Sequence, residues 1–230
     1  ARTYQTPVVP NSLNLEDVFL ASRYAYKPHL SRHTAEWATS MVNLEIEWNT
    51  PTAALDTFNR RKLLIACLLM RRPKILLMDE PASGLINTEI DELDLLLRKI
   101  ADELGIAILL IEHRLELVSA IANKVTVLDL GEIIATDNSD NIFDDIFSIE
   151  EVGIYKPDSK VYDMPINKYQ IKKEEVAFLS ANTWDVSGGG NYGYNSVWVN
   201  RNNNIFDNLD YQPKLEIKNL KDLLLNINSN

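Results

Sequence analysis

Apolar residues fall into two kinds of run in this chain. The first kind is short and continuous. Ile75 to Met78 run straight into Asp79 and Glu80 and are stopped by Pro81, and Ile106 to Ile111 run into Glu112 and His113. A continuous apolar run bounded by turn formers predicts a strand, and the 75–78 run predicts one buried on both faces of a parallel sheet. Val176 to Leu179 reads as another buried strand. Lys124 to Leu130 reads as a strand that returns as a hairpin over Glu132 to Thr136, after Gly131. The second kind of run is periodic. Ile90, Leu93, Leu97, Ile100 and Leu104 recur every three or four residues, which predicts an amphipathic helix packed on a sheet. Its expected cap is Asn87-Thr88 with Asp91, and Gly105 ends it. Helices are also predicted over 13–23, 62–71 and 115–122. Residues 26–50 are less periodic. Leu215 to Ile217 and Leu220 to Ile227 read as a last strand and a closing helix. The pattern predicts an α/β fold with mostly parallel strands and a small helical subdomain near the N-terminus.

Composition narrows this picture. With 230 residues, 46% hydrophobic and 24% charged, the chain can build one large or two small packed domains and is not globally disordered. A net charge of −10 disfavours a nucleic-acid coat or an anionic membrane surface. Cys67 is the lone cysteine, so no internal disulfide forms, and a reducing compartment is expected. No apolar run is long enough to span a bilayer, so a transport role would need separate membrane subunits. The chain opens on Ala1 rather than Met, and a segment upstream of it is expected.

The candidate chemistry sits at the strand ends, where open α/β sheets bind ligands. Asp79 can hold Mg²⁺ through water and Glu80 can act as general base on an attacking water; a solvated strand terminus is the alternative. His29 and His33, four residues apart, could share a metal on a helix, but no third ligand is near in sequence. After the 176–179 strand come Ser180, Asn182 and Asp185. Asp185 can orient or deprotonate water, and Ser180 and Asn182 can hydrogen-bond a carboxylate or its ester. Lys156 can offset negative charge nearby. The alternatives are a helix N-cap for Asp185 and a solvated lysine before a Pro-Asp turn for Lys156. Gly188, Gly189 and Gly190 weaken the helix expected after Asp185, each by about 1 kcal/mol relative to alanine.

Two resemblances account for most of these residues. ARTYQTP at the start, KILLMDEPASGL at 74–85 and LLIEHRLELV at 109–118 are similar to the Q-loop, Walker B with D-loop, and H-loop of ABC-transporter ATP-binding subunits of the branched-chain amino acid type. This resemblance covers about residues 1–137, divided into a Q-loop and helical subdomain (1–55) and a Walker B/H-loop lobe (56–137). It implies a P-loop-NTPase-like lobe with ATP and Mg²⁺ as cofactors. Gln5 and Asp79 would hold the metal, and Gln5, Asp79, Ser83 and Gly84 would contact the nucleotide. Glu80 and His113 would be catalytic. It also implies partners, namely membrane permease subunits and a second ATPase subunit, and a cytoplasmic location peripheral to the inner membrane. The chain departs from the family at three positions. Asp56 and Phe58 stand where the signature motif carries serine and glycine, and Ile86 where the D-loop carries aspartate. A carboxylate repels phosphate, and a phenylalanine blocks close backbone approach. Arg60 and Arg61 match the family; a solvated first helical turn is the alternative reading.

From about Asn141 to Ile227 the chain resembles the 2-haloacid dehalogenases of the haloacid dehalogenase superfamily. FDDIFSIEEVGIYKPDSKVY, VAFLSANTWDVSGG and SVWVNR carry that resemblance. It implies a Rossmann-like half-domain over 138–230, with Lys156 and Asp185 catalytic and Tyr162, Ser180 and Asn182 contacting substrate. In that family a carboxylate displaces halide and water hydrolyses the resulting ester. The chain holds no Gly-x-x-x-x-Gly-Lys-Ser/Thr, and no nucleophile motif of the dehalogenase type. Three functions follow as expectations: an ATP-hydrolysing transporter subunit joined to a dehalogenase-like segment, a dehalogenase-type hydrolase lacking its nucleophile, or a non-catalytic chimera. The isolated chain is expected to be inactive. A bolder form of the chimera has strands of both halves sharing one sheet.

Overall fold

The protein is described by a computed structural model, covering residues 1–3, 6–25 and 27–227. It divides into two compact units, Ala1–Asn123 and Lys124–Asn230.

In the first unit, α1 (Leu15–Tyr24) starts at Asn14, whose side chain accepts from the Asp17 amide while Asp17 accepts from the Asn14 amide. Then come α2 (Arg32–Met41), capped by Ser31, and α3 (Thr57–Leu69). The strand β1 (Ile75–Asp79) follows, then α4 (Asn87–Leu104), β2 (Ala107–Ile111) and α5 (Leu115–Ile121). The strands β1 and β2 pair in parallel, and the first residues of the chain run alongside β1 through an isolated Arg2–Leu77 bridge. Phe19, Leu63, Ile65, Leu69, Leu76, Met78, Leu93, Leu97 and Ile100 make the core. The expectation that the first strand is buried on both faces needs correcting. Leu76 and Met78 are buried against helices, but Ile75 is 51% and Leu77 38% exposed. Among the described residues, helices cover only one face of this small sheet.

Two helix boundaries also differ from the pattern. The helix expected over 62–71 starts five residues earlier, because Asp56 caps it by accepting from the Asn59 amide at 2.7 Å. The next helix is not capped by Thr88 and Asp91. It begins at Asn87, and Glu89 reaches back to the Ile86 amide at 2.9 Å. Gly105 ends it in the left-handed region, at φ 62°.

The second unit opens with the hairpin β3 (Val125–Asp129) and β4 (Glu132–Asp137). Leu130 and Gly131 turn it with positive φ at both positions, as a two-residue hairpin requires. After α6 (Ser139–Ile142) and α7 (Ser159–Tyr169), the strands β5 (Ala177–Ser180), β6 (Asn195–Val199) and β7 (Leu215–Ile217) form a parallel sheet in that order. Between β5 and β6 runs α8 (Thr183–Tyr192), which packs on both, and α9 (Leu220–Ile227) follows β7. Among the described residues the two parallel sheets and the hairpin are separate, and no described sheet holds strands of both halves. The hairpin, which the sequence resemblance groups with the first segment, instead packs in the second unit. Arg201 donates twice to Asp129 Oδ1, at 3.1 and 2.9 Å, and the Leu220 amide donates to Asp129 Oδ2 at 3.0 Å.

The glycine run did not break its helix. All three glycines lie inside α8, and the reason is close packing. A Cβ on Gly188 would stand 2.5 Å from the Tyr162 hydroxyl, and one on Gly189 2.6 Å from Phe178 Cδ1. Gly190 lies directly against the Tyr211 ring. The helix gives up propensity so that these aromatic rings can touch its backbone.

Candidate functional sites

The parallel register of β1 and β2 sets Asp79 opposite Ile111, so both acidic strand ends finish side by side. The Glu80 amide donates to Ile111 O at 2.8 Å, continuing the ladder one residue past the strand. This brings Glu80 Oε1 to 3.6 Å from His113 Nδ1, an ion pair when the imidazole is protonated. Asp79 is partly exposed, with Arg2 Nη2 at 3.6 Å. Ser83 and Gly84 lie in the turn that follows: the Ser83 amide donates to Glu80 O at 3.0 Å, and Gly84 takes φ 76°. The structure therefore gathers Asp79, Glu80, Ser83, Gly84 and His113 at one end of the sheet. Gln5 lies outside the described residues.

Two supporting residues were not singled out as such by the sequence. The Glu112 side chain is fully buried and accepts from the amides of Ala82 at 2.8 Å, His113 at 3.1 Å and Arg114 at 3.4 Å. It ties the end of β2 to the turn after β1. Its signal was available, since it is a carboxylate directly before His113. Arg61 is 3% exposed, not solvated, and donates to Ser83 O at 3.3 Å. Burial lowers its pKa, opposed by the negative charges of Glu112 and Glu89.

The altered signature has a structural role. Asp56 occupies the N-terminus of α3 with its own carboxylate, bonded to both the amide and the side chain of Asn59. Phe58 is a core residue, and the buried Lys62 ammonium lies 4.5 Å from its ring centroid. A helix start already holding an anion does not fit a second one. The Asp56→Ala variant should lose about 1 kcal/mol of stability in the first unit, read by urea unfolding; an unchanged midpoint would mean that the cap contributes nothing.

His29 and His33 do not share a site. His29 stacks on Tyr24 with centroids 4.5 Å apart, and His33 Nδ1 stands 3.7 Å from Glu36. Among the described residues no group of three or more His, Cys, Asp or Glu side chains is placed to hold a metal. Asp79 still suits Mg²⁺, which takes one or two carboxylates and fills its shell with water and substrate phosphate. Burial pushes the Cys67 thiol up to about 11, as expected of a thiol among core side chains.

In the second unit, Asp185 lies in the first turn of α8, where negative charge is favoured. Asn182, not Asp185, is the N-cap residue. Asp185 is buried and accepts from Lys156 Nζ and from the Tyr162 hydroxyl, both at 3.3 Å. Lys156 also stands 5.0 Å from the Phe178 ring centroid. Burial, and then the charge and hydrogen bond of Asp185, raise the Tyr162 phenol well above its ordinary value, so it stays a donor. Ser180, at the end of β5, accepts from the Asn182 amide at 3.1 Å. Phe178, Tyr192 and Tyr194 pack against the Tyr162 ring, edge to face or stacked.

No family model matches the chain. Among curated proteins, an (S)-2-haloacid dehalogenase of Pseudomonas putida is 35% identical over 94 residues, which is 41% of each chain. The high-affinity branched-chain amino acid transport ATP-binding protein BraF of Pseudomonas aeruginosa is 37% identical over 112 residues, 49% of this chain and 44% of that one. The chain thus spans less than half the length of either relative. Among solved structures, CbiO1 of Clostridium perfringens, part of an ABC transporter complex, superposes with a TM-score of 0.57 at 23% identity, covering 73% of this chain and 64% of that one. A dimeric ATP-binding cassette in a post-hydrolysis state, bound to ADP and Pi, gives 0.52 at 22% identity over 60% and 62%. The chain resembles both groups of proteins, and its fold is α/β with ABC-cassette-like structural neighbours. No described helix is long and apolar enough to cross a membrane.

Proposed function

We propose that residues 1–123 form the hydrolytic side of an ABC-type ATP site, acting with a phosphate-binding loop supplied by another segment and docked to membrane permease subunits. The observation that carries this reading is the juxtaposition of Asp79, Glu80 and His113 at adjacent parallel strand ends, with Glu80 3.6 Å from His113. Mg²⁺, when bound, supplies charge neutralisation at the phosphates, and Asp79 would hold it. Glu80 would accept a proton from water. His113 would pair with the Glu80 carboxylate and donate toward an anionic oxygen. Glu112 and Arg61 hold the turn on which Glu80 and Ser83 stand. The location that goes with this reading is the cytoplasmic face of the inner membrane.

The test adds a P-loop-bearing segment to the N-terminus and measures Mg²⁺-dependent phosphate release. The extended chain should hydrolyse ATP, and its Glu80→Gln variant should lose about a hundredfold or more while still binding nucleotide. Equal hydrolysis by both proteins would overturn the role given to Glu80.

For residues 138–230 the Lys156–Asp185–Tyr162 trio supports a second reading, a dehalogenase-type hydrolytic half-site that needs a carboxylate nucleophile from elsewhere. Lys156 would balance that carboxylate, and Ser180 and Asn182 would contact the ester. The 230 residues alone should release no halide from a 2-haloacid; release would show that the nucleophile lies within them.

A further inference from the structure

The strands β5, β6 and β7 are parallel, so Ser180, Val199 and Ile217 finish at one end of their sheet. That is the end at which open α/β sheets take ligands. Ser180, Asn182 and Asp185 stand there after β5. At the ends of β6 and β7 the 125–137 hairpin is bound instead. Arg201, just past β6, and the amide of Leu220, which starts α9 after β7, both hold Asp129. Lys221 pairs with Glu132 of the same hairpin. Little apolar packing accompanies these bonds. Val125, at the start of β3, is buried, but Leu128, Leu130 and Ile133 are 63%, 67% and 64% exposed. Among the described residues, no hairpin side chain belongs to the hydrophobic core of either unit.

We propose that the 125–137 hairpin is a strap latched by charge over the carboxyl ends of β6 and β7, which opens and closes while the sheet stays folded. Closed, Asp129 neutralises Arg201 and satisfies the first amide of α9. Open, it leaves the guanidinium and that amide to solvent at the ligand end of the sheet. The Asp129 side chain is only 6% exposed, but Arg201 is 34% exposed, so salt ions reach the cation even in the closed state. An element held by few apolar contacts opens at a lower free energy than the core beside it. The strap needs neither of the activities proposed above.

The readout is hydrogen exchange of the Leu220 amide and the Arg201 Nε–H, the donors that the closed strap covers, followed by NMR in the full ¹⁵N-labelled chain. Amides inside β6 are the reference for opening of the whole sheet. Leu220 should exchange about tenfold or more faster than β6. Raising sodium chloride from about 0.05 to about 0.5 M should speed Leu220 and Arg201 about threefold and leave β6 unchanged. Asp129→Asn should speed Leu220 about tenfold, again without moving β6. Leu128→Ser, at an exposed apolar position, should change nothing. Exchange of Leu220 at the β6 rate would mean that the hairpin leaves only when the sheet unfolds. Indifference to salt or to Asp129→Asn, or a response to Leu128→Ser as large as that to Asp129→Asn, would mean that charge is not the latch. Each of these results would overturn the proposal.

Discussion

Replacing Gly188, Gly189 and Gly190 together by alanine should destabilise the second unit, although helix propensity alone predicts the opposite. Three glycine-to-alanine changes inside a helix would contribute roughly 3 kcal/mol if only the backbone mattered. Each new methyl, however, enters an occupied space. The Gly189 methyl would stand 2.6 Å from Phe178 Cδ1 and 3.1 Å from Ser196 Oγ, with a strand behind both. The Gly188 methyl would meet the Tyr162 hydroxyl, which bonds Asp185. Overpacking of this kind costs about 1–3 kcal/mol per site, and at Gly189 neither neighbour can swing away cheaply. A net loss of about 2 kcal/mol or more is expected, read as a lower urea midpoint for the transition that exposes the buried Trp198. A raised midpoint would mean that the rings yield and that propensity controls this helix.

The Asp129→Ala variant should release the 125–137 hairpin from the sheet it packs with. Asp129 is 7% exposed and receives the Arg201 guanidinium and the amide that starts α9. Removing the carboxylate leaves a partly buried guanidinium and an unpaired helix-start amide, a loss of about 3 kcal/mol. The same group makes stability depend on pH. The Leu220 amide first, and then Arg201, hold the folded Asp129 carboxyl below its ordinary value of 3.8. A depressed folded pKa means that the contribution is fully present above the unfolded pKa. It is lost as pH falls below 3.8 and through the folded value. The difference in unfolding free energy between wild type and Asp129→Ala should therefore be constant near neutrality and shrink in that acid window. A difference independent of pH would assign the effect to packing alone.

Much of the first unit was legible in the sequence for a physical reason. Continuous apolar runs ending in charge gave β1 and β2, and a period of three and four gave α4. The same rules misjudged how many faces of β1 are covered, because a short apolar run cannot report how many layers pack on it. The candidate carboxylates stood at strand ends and were visible there. Arg61 and Lys62 were not visible as buried groups, because basic residues at a helix start look solvated until Ser83, Asn43 and Glu92 are brought against them. In the second unit β5 and β7 were legible as apolar runs, but β6 (Asn195–Val199) was not predicted as a strand, and the tolerance of α8 for three glycines depended on Tyr162, Phe178 and Tyr211, which no local pattern relates to that helix. The attachment of the hairpin through Asp129 spans 72 residues to Arg201 and is of the same long-range kind.

The backbone of Glu80 carries a conflict of its own, apart from the carboxylate. Its φ is 43°, a left-handed conformation that glycine adopts freely and that costs other L-residues about 1–2 kcal/mol. The bond from its amide to Ile111 and the buried Glu112 carboxylate, which grips the next turn, over-determine that conformation. Position 80 thus sets conformational ease against side-chain chemistry. A residue chosen for foldability alone would be glycine, and the chain keeps an acid there at the expense of its own stability.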